Sequence, residues 1–455
     1  MDRLRKSKFW GSSRLLIFSF LVIILVGAGL LMLPQMTNGD PLAFMDALFT
    51  ATSATCVTGL AVVDTGSKFT MLGQIVVLIL IQAGGLGIMT FSTFFTYSII
   101  GRFSISDRDV LQDTLTQSPM KNIAELLRTI FLFTLSIELI GAGVLALRFW
   151  NQFPFGKACY YGLFHSISAF CNAGFALFQN SFMDYVGDWE VNVVIMMLII
   201  LGGIGFIVLN ELKNYFFARK RHQGRTLSFH SKLALIITAI LIIAGALIIL
   251  IFENSNVFQQ KPIHVKLLAS FFQSVTSRTA GFNTVDISML TNSSLFFIII
   301  LMMIGASPGS CGGGIKTTTA GVIAAMLFAR FQNREDVNIL HRRIPDEIVS
   351  KAISVTFFSI LIILSFIILL MVSEVGETSH QESRGLFLET FFEVVSAFGT
   401  VGLSTGITSG LSFIGKFIII ITMFIGRVGP LTVAFAIGKK YTPRFRYAQE
   451  KVLIG

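Results

Sequence analysis

Charge is what this sequence has least of. Only 13% of its 455 residues are Asp, Glu, Lys or Arg while 53% are hydrophobic, and an ordinary soluble domain carries about 25% charged residues. Three soluble domains of this composition would lack the polar surface to coat them. Cysteine is also sparse: Cys56, Cys159, Cys171 and Cys311 lie far apart with no C-x-x-C pair, which excludes a disulfide framework and a thiolate zinc site and leaves the redox compartment open. The six histidines are scattered singly. His165 has no second His or Cys at i+3 or i+4 on the exposed side, so it reads as a satisfied buried histidine rather than a metal ligand. There is no G-x-S-x-G, no H-E-x-x-H and no pair of acids in facing spans for a proton relay. Enzymatic chemistry has nothing to stand on.

What the chain has instead is long apolar runs. Eight occur in order, near 15–33, 72–94, 130–149, 191–209, 233–252, 295–305, 352–372 and 413–435, and most reach the ~20 residues a spanning helix needs. The sixth breaks early. The first is too long for a signal h-region and no A-x-A-like site follows, so it is read as a retained span. The net charge of +10 is unevenly spread: 1–14, 102–128, 211–232, 330–351 and 439–451 hold 25 of the 35 Lys and Arg but 11 of the 25 acids. These stretches alternate with pairs of spans. By the positive-inside rule they are cytoplasmic, which puts both termini inside and demands an even number of crossings. A nucleic-acid footprint would gather the same residues on one folded face, so no nucleic acid is expected. The expected class is an all-α, multi-pass protein of the cell membrane.

Internal repetition carries the functional argument. Four short apolar stretches, DALFTATSATCVTGL from 46, GLFHSISAFCNAGF from 162, LLASFFQSVTSRTAGF from 267 and LETFFEVVSAFGTVGL from 388, can be laid over one another. Each reads as an amphipathic half-helix, a small polar corner and a glycine. The aligned glycines Gly59, Gly174, Gly281 and Gly402 are 115, 107 and 121 residues apart. The following spans carry a second set in register: Gly84, Gly85 and Gly87; Gly202, Gly203 and Gly205; Gly305 and Gly309; Gly426 and Gly429. The first two of these groups read as close helix packing. The expected domains are therefore four pseudo-symmetric helix, pore-helix, filter and helix repeats around one central pore, at 1–115, 116–225, 226–345 and 346–455, the last ending in a cytoplasmic tail.

A half-helix of 9 to 12 residues is about 15 Å long and reaches only the bilayer midplane. Non-helical backbone is tolerated there only inside protein or against water, so four such corners predict one aqueous path. The negative end of each half-helix dipole favours a cation. Glycine permits the turn that brings carbonyl oxygens towards the axis. The filter candidates are Val57, Thr58 and Gly59; Asn172, Ala173 and Gly174; Thr279, Ala280 and Gly281; and Thr400, Val401 and Gly402. No acid stands among them, which argues against a divalent site and for potassium held by backbone carbonyls. The repeats run parallel, since each starts and ends inside, which disfavours an inverted-repeat transporter.

The strings TATSATCVTGLAVVDTG, HSISAFCNAGFALF, RTAGFN and SAFGTVGLSTG resemble the four filter segments of the Ktr/Trk/HKT superfamily of potassium transporters, and within it the bacterial Ktr membrane subunits. The resemblance spans nearly the whole chain. It implies potassium uptake, often with Na+ as activator or co-ion, a homodimer in the membrane and a cytoplasmic nucleotide-binding regulatory ring of the RCK type, with no covalently bound cofactor. A serine at the first filter glycine resembles sodium-preferring plant members; this chain keeps Gly59. A sodium-permeable or sodium-coupled transporter of the same fold is the alternative.

The sixth span departs from repetition. After Ile304 it reads GASPGSCGGGIKTTTAG, and four glycines with Pro308 favour an irregular intramembrane loop over 305–319. Gly305, Gly309, Gly312, Gly313, Gly314, Lys316 and Arg427 are expected to form a gate below the third filter. A phosphate loop is set aside, because Ile315 spoils the G-x-x-x-x-G-K-[ST] spacing and no strand precedes it. Within the spans, Arg427 is expected on the loop carbonyls, on helix-end carbonyls or on Glu138, and Lys316 at the cytoplasmic face. Arg278 is expected to brace pore-helix ends with Glu393 or Asp286. The basic stretches are a docking surface for a cytoplasmic partner or for anionic lipid.

Overall fold

In the computed structural model residues 12–87, 123–220, 226–376, 378–379, 381–430 and 432–433 are described. The tail 1–11, the basic stretch 102–128 up to 122, residues 221–225, the C-terminal tail from 434 and the expected boundary at 115/116 lie outside the described residues.

Helices dominate. In chain order they are α1 Ser12–Leu31, α2 Phe44–Thr55, α3 Met71–Gly85, α4 Ile123–Phe149, α5 Phe155–Phe170, α6 Trp189–Gly203, α7 Phe206–Lys220, α8 Phe229–Glu253, α9 Ile263–Thr276, α10 Asn292–Met303, α11 Thr317–Phe331, α12 Asp346–Glu374, α13 Leu386–Gly399 and α14 Phe413–Val428. A two-stranded hairpin, β1 Asn338–Ile339 with β2 Arg342–Arg343, lies between α11 and α12 inside the basic stretch 330–351. Among the described residues three helices are long and apolar enough to cross a bilayer unaided, at Leu127–Phe149, Phe229–Glu253 and Asp346–Glu374. Their outward faces carry Ile140, Ile251 and Ile368, 69, 70 and 64% exposed. Such faces suit lipid rather than water.

The fourth span differs from expectation. The run 191–209 is not one helix: α6 stops at Gly203, α7 starts at Phe206, and the pair is bent by 103°. Gly205 makes the corner, with φ +95°, a region closed to most side chains. Of the other inner helices, α3 ends at Gly85 and α14 at Val428, followed by Gly87 at φ +82° and Gly429 at φ +92°.

Each helix that follows a corner is capped by a side-chain oxygen. Thr70, Asp188, Thr291 and Ser412 accept from the backbone N–H three residues on, at 3.3, 3.1, 3.2 and 3.1 Å. Those caps are also tied to the preceding outer segment. Thr70 donates to the Gln35 carbonyl at 2.8 Å, Arg148 pairs with Asp188 at 2.7 Å, Glu253 accepts from Thr291 Oγ1 at 2.8 Å, and Glu374 accepts from Ser412 Oγ at 2.6 Å. One position thus ends an outer helix, starts an inner one and joins them, by different chemistry each time.

The half-helices α2, α5, α9 and α13 are 12, 16, 14 and 14 residues, or about 18 to 24 Å at 1.5 Å per residue; α2 matches the 9 to 12 read from the apolar pattern and the other three exceed it. Each buries a phenylalanine completely: Phe49, Phe164, Phe272 and Phe392 are all 0% exposed. Burying an aromatic ring of that size is worth about 1.5–3 kcal/mol. These four rings anchor the half-helices in the interior and aim their C-terminal ends at one another.

Candidate functional site

Backbone alone builds the centre. At each corner two residues take left-handed φ: Val57 and Gly59 at +57° and +94°, Asn172 and Gly174 at +58° and +71°, Thr279 and Gly281 at +74° and +78°, Thr400 and Gly402 at +50° and +90°. The four glycines meet. A Cβ added to Gly59 would lie 2.6 Å from the Ala173 carbonyl oxygen, one on Gly174 2.8 Å from that of Ala280, and one on Gly281 2.5 Å from that of Val401. One on Gly402 would strike the Thr58 oxygen, which closes the circle. Each corner therefore rests on the next, and no side chain larger than hydrogen fits at the glycine.

The corners are held from behind by a hydroxyl one turn after each buried phenylalanine. Ser53 Oγ accepts from Gly59 N and Ser396 Oγ from Gly402 N, both at 3.1 Å. Ser168 Oγ donates to the Phe175 carbonyl at 2.8 Å and Thr276 Oγ1 to that of Phe282 at 2.6 Å. These four residues were missed by the sequence reasoning, although F-x-x-x-[ST] recurs at Phe49, Phe164, Phe272 and Phe392 and would have found them. The inner helices pack equally closely. A Cβ on Gly84, Gly202 or Gly426 would collide with the carbonyl oxygen of Thr55, Phe170 or Phe398. The close packing expected of the first two groups therefore holds at Gly84, Gly85 and Gly202 and extends to Gly426, while Gly87 and Gly205 serve as left-handed helix ends.

Residues after the glycines line an open mouth of about 270 Å³, with Gln179, Asn283, Ser404 and Thr408 in its wall and Asp64 as its one charged lining residue among the described residues. Glu393, fully buried, accepts from Ser404 Oγ at 2.9 Å and from Thr408 Oγ1 and so fixes that wall. His165 does the same on the second corner: Nε2 accepts from Leu177 N at 3.1 Å and Nδ1 faces the Tyr161 carbonyl at 2.8 Å. It is a satisfied buried histidine.

Residues before the glycines face the glycine-rich loop between α10 and α11. The loop is irregular, with Gly309 and Gly314 both at φ +68°. Gly312 lies against the Thr279 side chain, and Gly313 N donates to Thr400 Oγ1 at 2.9 Å. The loop also ties to the bend of the fourth span: Ser307 N donates to Gly203 O at 2.9 Å, Cys311 N to Gly202 O at 3.2 Å, and Phe206 N to Gly309 O at 2.9 Å. Gly305 N reaches Ile315 O at 2.9 Å and closes the loop base.

Both intraspan cations meet carbonyls. Arg427 donates to Cys311 O in the loop and to Gly84 O at the end of α3. Glu138 instead accepts from Gln82 Nε2 at 3.2 Å. Lys316 Nζ turns inward to Gly312 O at 2.7 Å rather than extending to the cytoplasmic face. Arg278 donates to Gly305 O at 3.4 Å. Neither expected acid is its partner, since Glu393 is held by Ser404 and Thr408 and Asp286 caps Ser288 at 3.0 Å. A guanidinium that binds loop carbonyls organises backbone and ligates no cation.

Fold and centre together define a multi-pass, all-helical membrane protein whose interior converges on main-chain oxygens instead of a catalytic side-chain set. The family model described as TrkH, cation transport protein, matches residues 16–443. The chain belongs to that family, one of cation transporters and not of enzymes. It is 42% identical to the Ktr system potassium uptake protein B of Bacillus subtilis over 97% of this chain and 96% of that one. Identity to the potassium/sodium uptake protein NtpJ of Enterococcus hirae is 36%, covering 97% of each. The crystal structure of the potassium transporter TrkH from Vibrio parahaemolyticus superposes with a TM-score of 0.70 over 93% of this chain and 83% of that one, at 18% identity, a likeness of fold.

Proposed function

We propose that this protein takes up potassium across the cell membrane through a filter of backbone carbonyls at Val57–Gly59, Asn172–Gly174, Thr279–Gly281 and Thr400–Gly402. The observation that carries the reading is the closed circle in which each corner glycine rests on the carbonyl of the next corner. Oxygens fixed in that way replace a hydration shell without adding negative charge, which suits a weakly hydrated monovalent cation. The four corners belong to four repeats with the boundaries given above and both termini in the cytoplasm. The loop 305–319 is the gate, held shut through Arg427 and Lys316. The protein works as a homodimer with a cytoplasmic nucleotide-binding ring; that relatives are named as parts of a Ktr system supports a partner subunit. Sodium assists uptake as activator or co-ion; the relative named for potassium and sodium uptake favours, as a second reading, a filter that also passes sodium.

Rubidium and sodium flux into vesicles carrying the purified protein tests the reading. Changing Gly59, Gly174, Gly281 or Gly402 to alanine forces a methyl onto the neighbouring carbonyl and strains φ. Each variant should lose at least about tenfold in rubidium flux or in discrimination against sodium, for a lost interaction of about 1.4 kcal/mol or more. Unchanged flux and selectivity in all four variants would sink the proposal.

A further inference from the structure

We propose that the Thr400 hydroxyl is the latch between the filter and the gate loop, a positioning residue whose loss releases the loop. The inference rests on the conduction reading for its flux readout but not for its structural one. Four side chains occupy the register two residues before the corner glycines: Val57, Asn172, Thr279 and Thr400. Val57 offers no polar atom. Asn172 and Thr279 Oγ1 pair with each other at 3.1 Å. Among the described residues Thr400 is the one of the four whose side chain takes a backbone donor from the loop, Gly313 N at 2.9 Å, and both residues are fully buried or nearly so.

One further tie comes from a corner, Arg278 donating to Gly305 O at 3.4 Å at the base of the loop; the remaining ties run elsewhere. Ser307, Gly309 and Cys311 bond to Gly202, Gly203 and Phe206 at the bend of the fourth span, Arg427 joins Cys311 to α3, and Lys316 closes the loop on itself. Those bonds can be kept while the loop moves with its supporting helices. The Thr400 bond cannot, because Thr400 lies in the ring. It is therefore the hydrogen bond from the ring to the middle of the loop that withdrawal must break, beside the longer one from Arg278 at the loop base. Thr400 shares its left-handed, β-branched conformation with Val57 and Thr279 in two other corners, so what sets it apart is the hydroxyl aimed at Gly313 N.

With Thr400→Val the shape stays and the acceptor goes. Gly313 N–H is then orphaned whenever the loop is docked, and the docked state loses population by about fivefold to a hundredfold relative to the withdrawn one. Thr400→Ser keeps the acceptor. Two measurements on purified full-length protein test this: amide hydrogen exchange in peptides covering 305–316, and rubidium flux into vesicles. The expected result is faster exchange in the loop and several-fold higher flux for T400V, with T400S restoring the slow loop exchange of the wild type. Loop exchange in T400V as slow as in the wild type, or T400S behaving like T400V, overturns the latch. Should T400V not fold, T400A removes the same acceptor and relieves the β-branch strain, and the same outcomes decide. If wild-type vesicles move no rubidium, the conduction reading fails while loop exchange still judges the latch.

Discussion

Among the described residues Asp64 is the charged group in the wall of the mouth, and its carboxylate already has a local duty. Oδ1 accepts from Ser67 N at 2.7 Å and from Ser67 Oγ at 2.5 Å, which caps the single helical turn Thr65–Lys68. Capping and charge can be separated, because asparagine caps about as well as aspartate. Asp64→Asn is expected to keep the loop shape and to remove the field that concentrates cations before the ring. The half-saturating rubidium concentration should rise several-fold at low ionic strength with little change in maximal flux, and the difference should fade as inert salt screens the site. A fall in maximal flux with no salt dependence would assign Asp64 to structure alone. The hydroxyls behind the corners act differently. Ser396→Ala leaves Gly402 N–H without its acceptor, at a cost of about 1–3 kcal/mol local to one corner. Measured reversal potentials should show weaker discrimination between potassium and sodium before any loss of folded protein. The corner glycines were legible as residues because a left-handed turn at membrane depth leaves few alternatives. Thr400 was legible only as a candidate filter residue and not as a partner of the loop, since its hydroxyl partner lies 87 residues away along the chain.

At the scale of elements, apolar periodicity located the spans and the half-helices but misjudged where they stop. The fourth span is the instructive case. Gly202, Gly203 and Gly205 are compatible with an unbroken, closely packed helix, and α6 breaks because the loop from another part of the chain supplies partners for the freed backbone, Gly309 O for Phe206 N and Ser307 N for Gly203 O. No local pattern records that exchange. The joins between outer and inner helices were equally hidden, because the same place is filled by a carbonyl, an ion pair and two glutamates. Glu253, fully buried, accepts from Thr291 N at 2.9 Å, Thr291 Oγ1 at 2.8 Å and Asn256 Nδ2 at 2.7 Å. Glu253→Ala leaves the half-buried Thr291 without its acceptor beside a cavity at a fully buried position, while Asn256 is exposed and turns to water. Stability in detergent should drop by about 2–3 kcal/mol, a fall of several degrees in the unfolding midpoint, and Glu253→Gln should recover part of it by retaining one acceptor oxygen. Equal midpoints for wild type and alanine variant would show the join to be incidental.

Across the whole molecule, a ring of corners is only as firm as the seam where the chain's last quarter returns to its first. Gly402 rests on the Thr58 carbonyl at that seam. The same two parts meet again where Lys416 Nζ on α14 reaches Asp46 Oδ1 on α2 at 2.7 Å, between residues 370 apart in sequence. Both side chains are largely shielded, 17% and 24% exposed, so the pair is stronger than a surface bridge and its rupture leaves an uncompensated charge. Asp46 also sits in the first turn of α2, where a negative charge favours the helix dipole and steadies the half-helix that presents Val57 to Gly59. Lys416→Met is therefore expected to loosen the closure and not merely to lower stability: the unfolding midpoint falls by a few degrees and sodium leak rises relative to rubidium flux. The exchanged pair, Asp46→Lys with Lys416→Asp, restores the attraction but places a cation at the α2 N-terminus. It should recover stability and selectivity only in part, and a double variant no better than either single one would show that the seam is held by packing rather than by this pair.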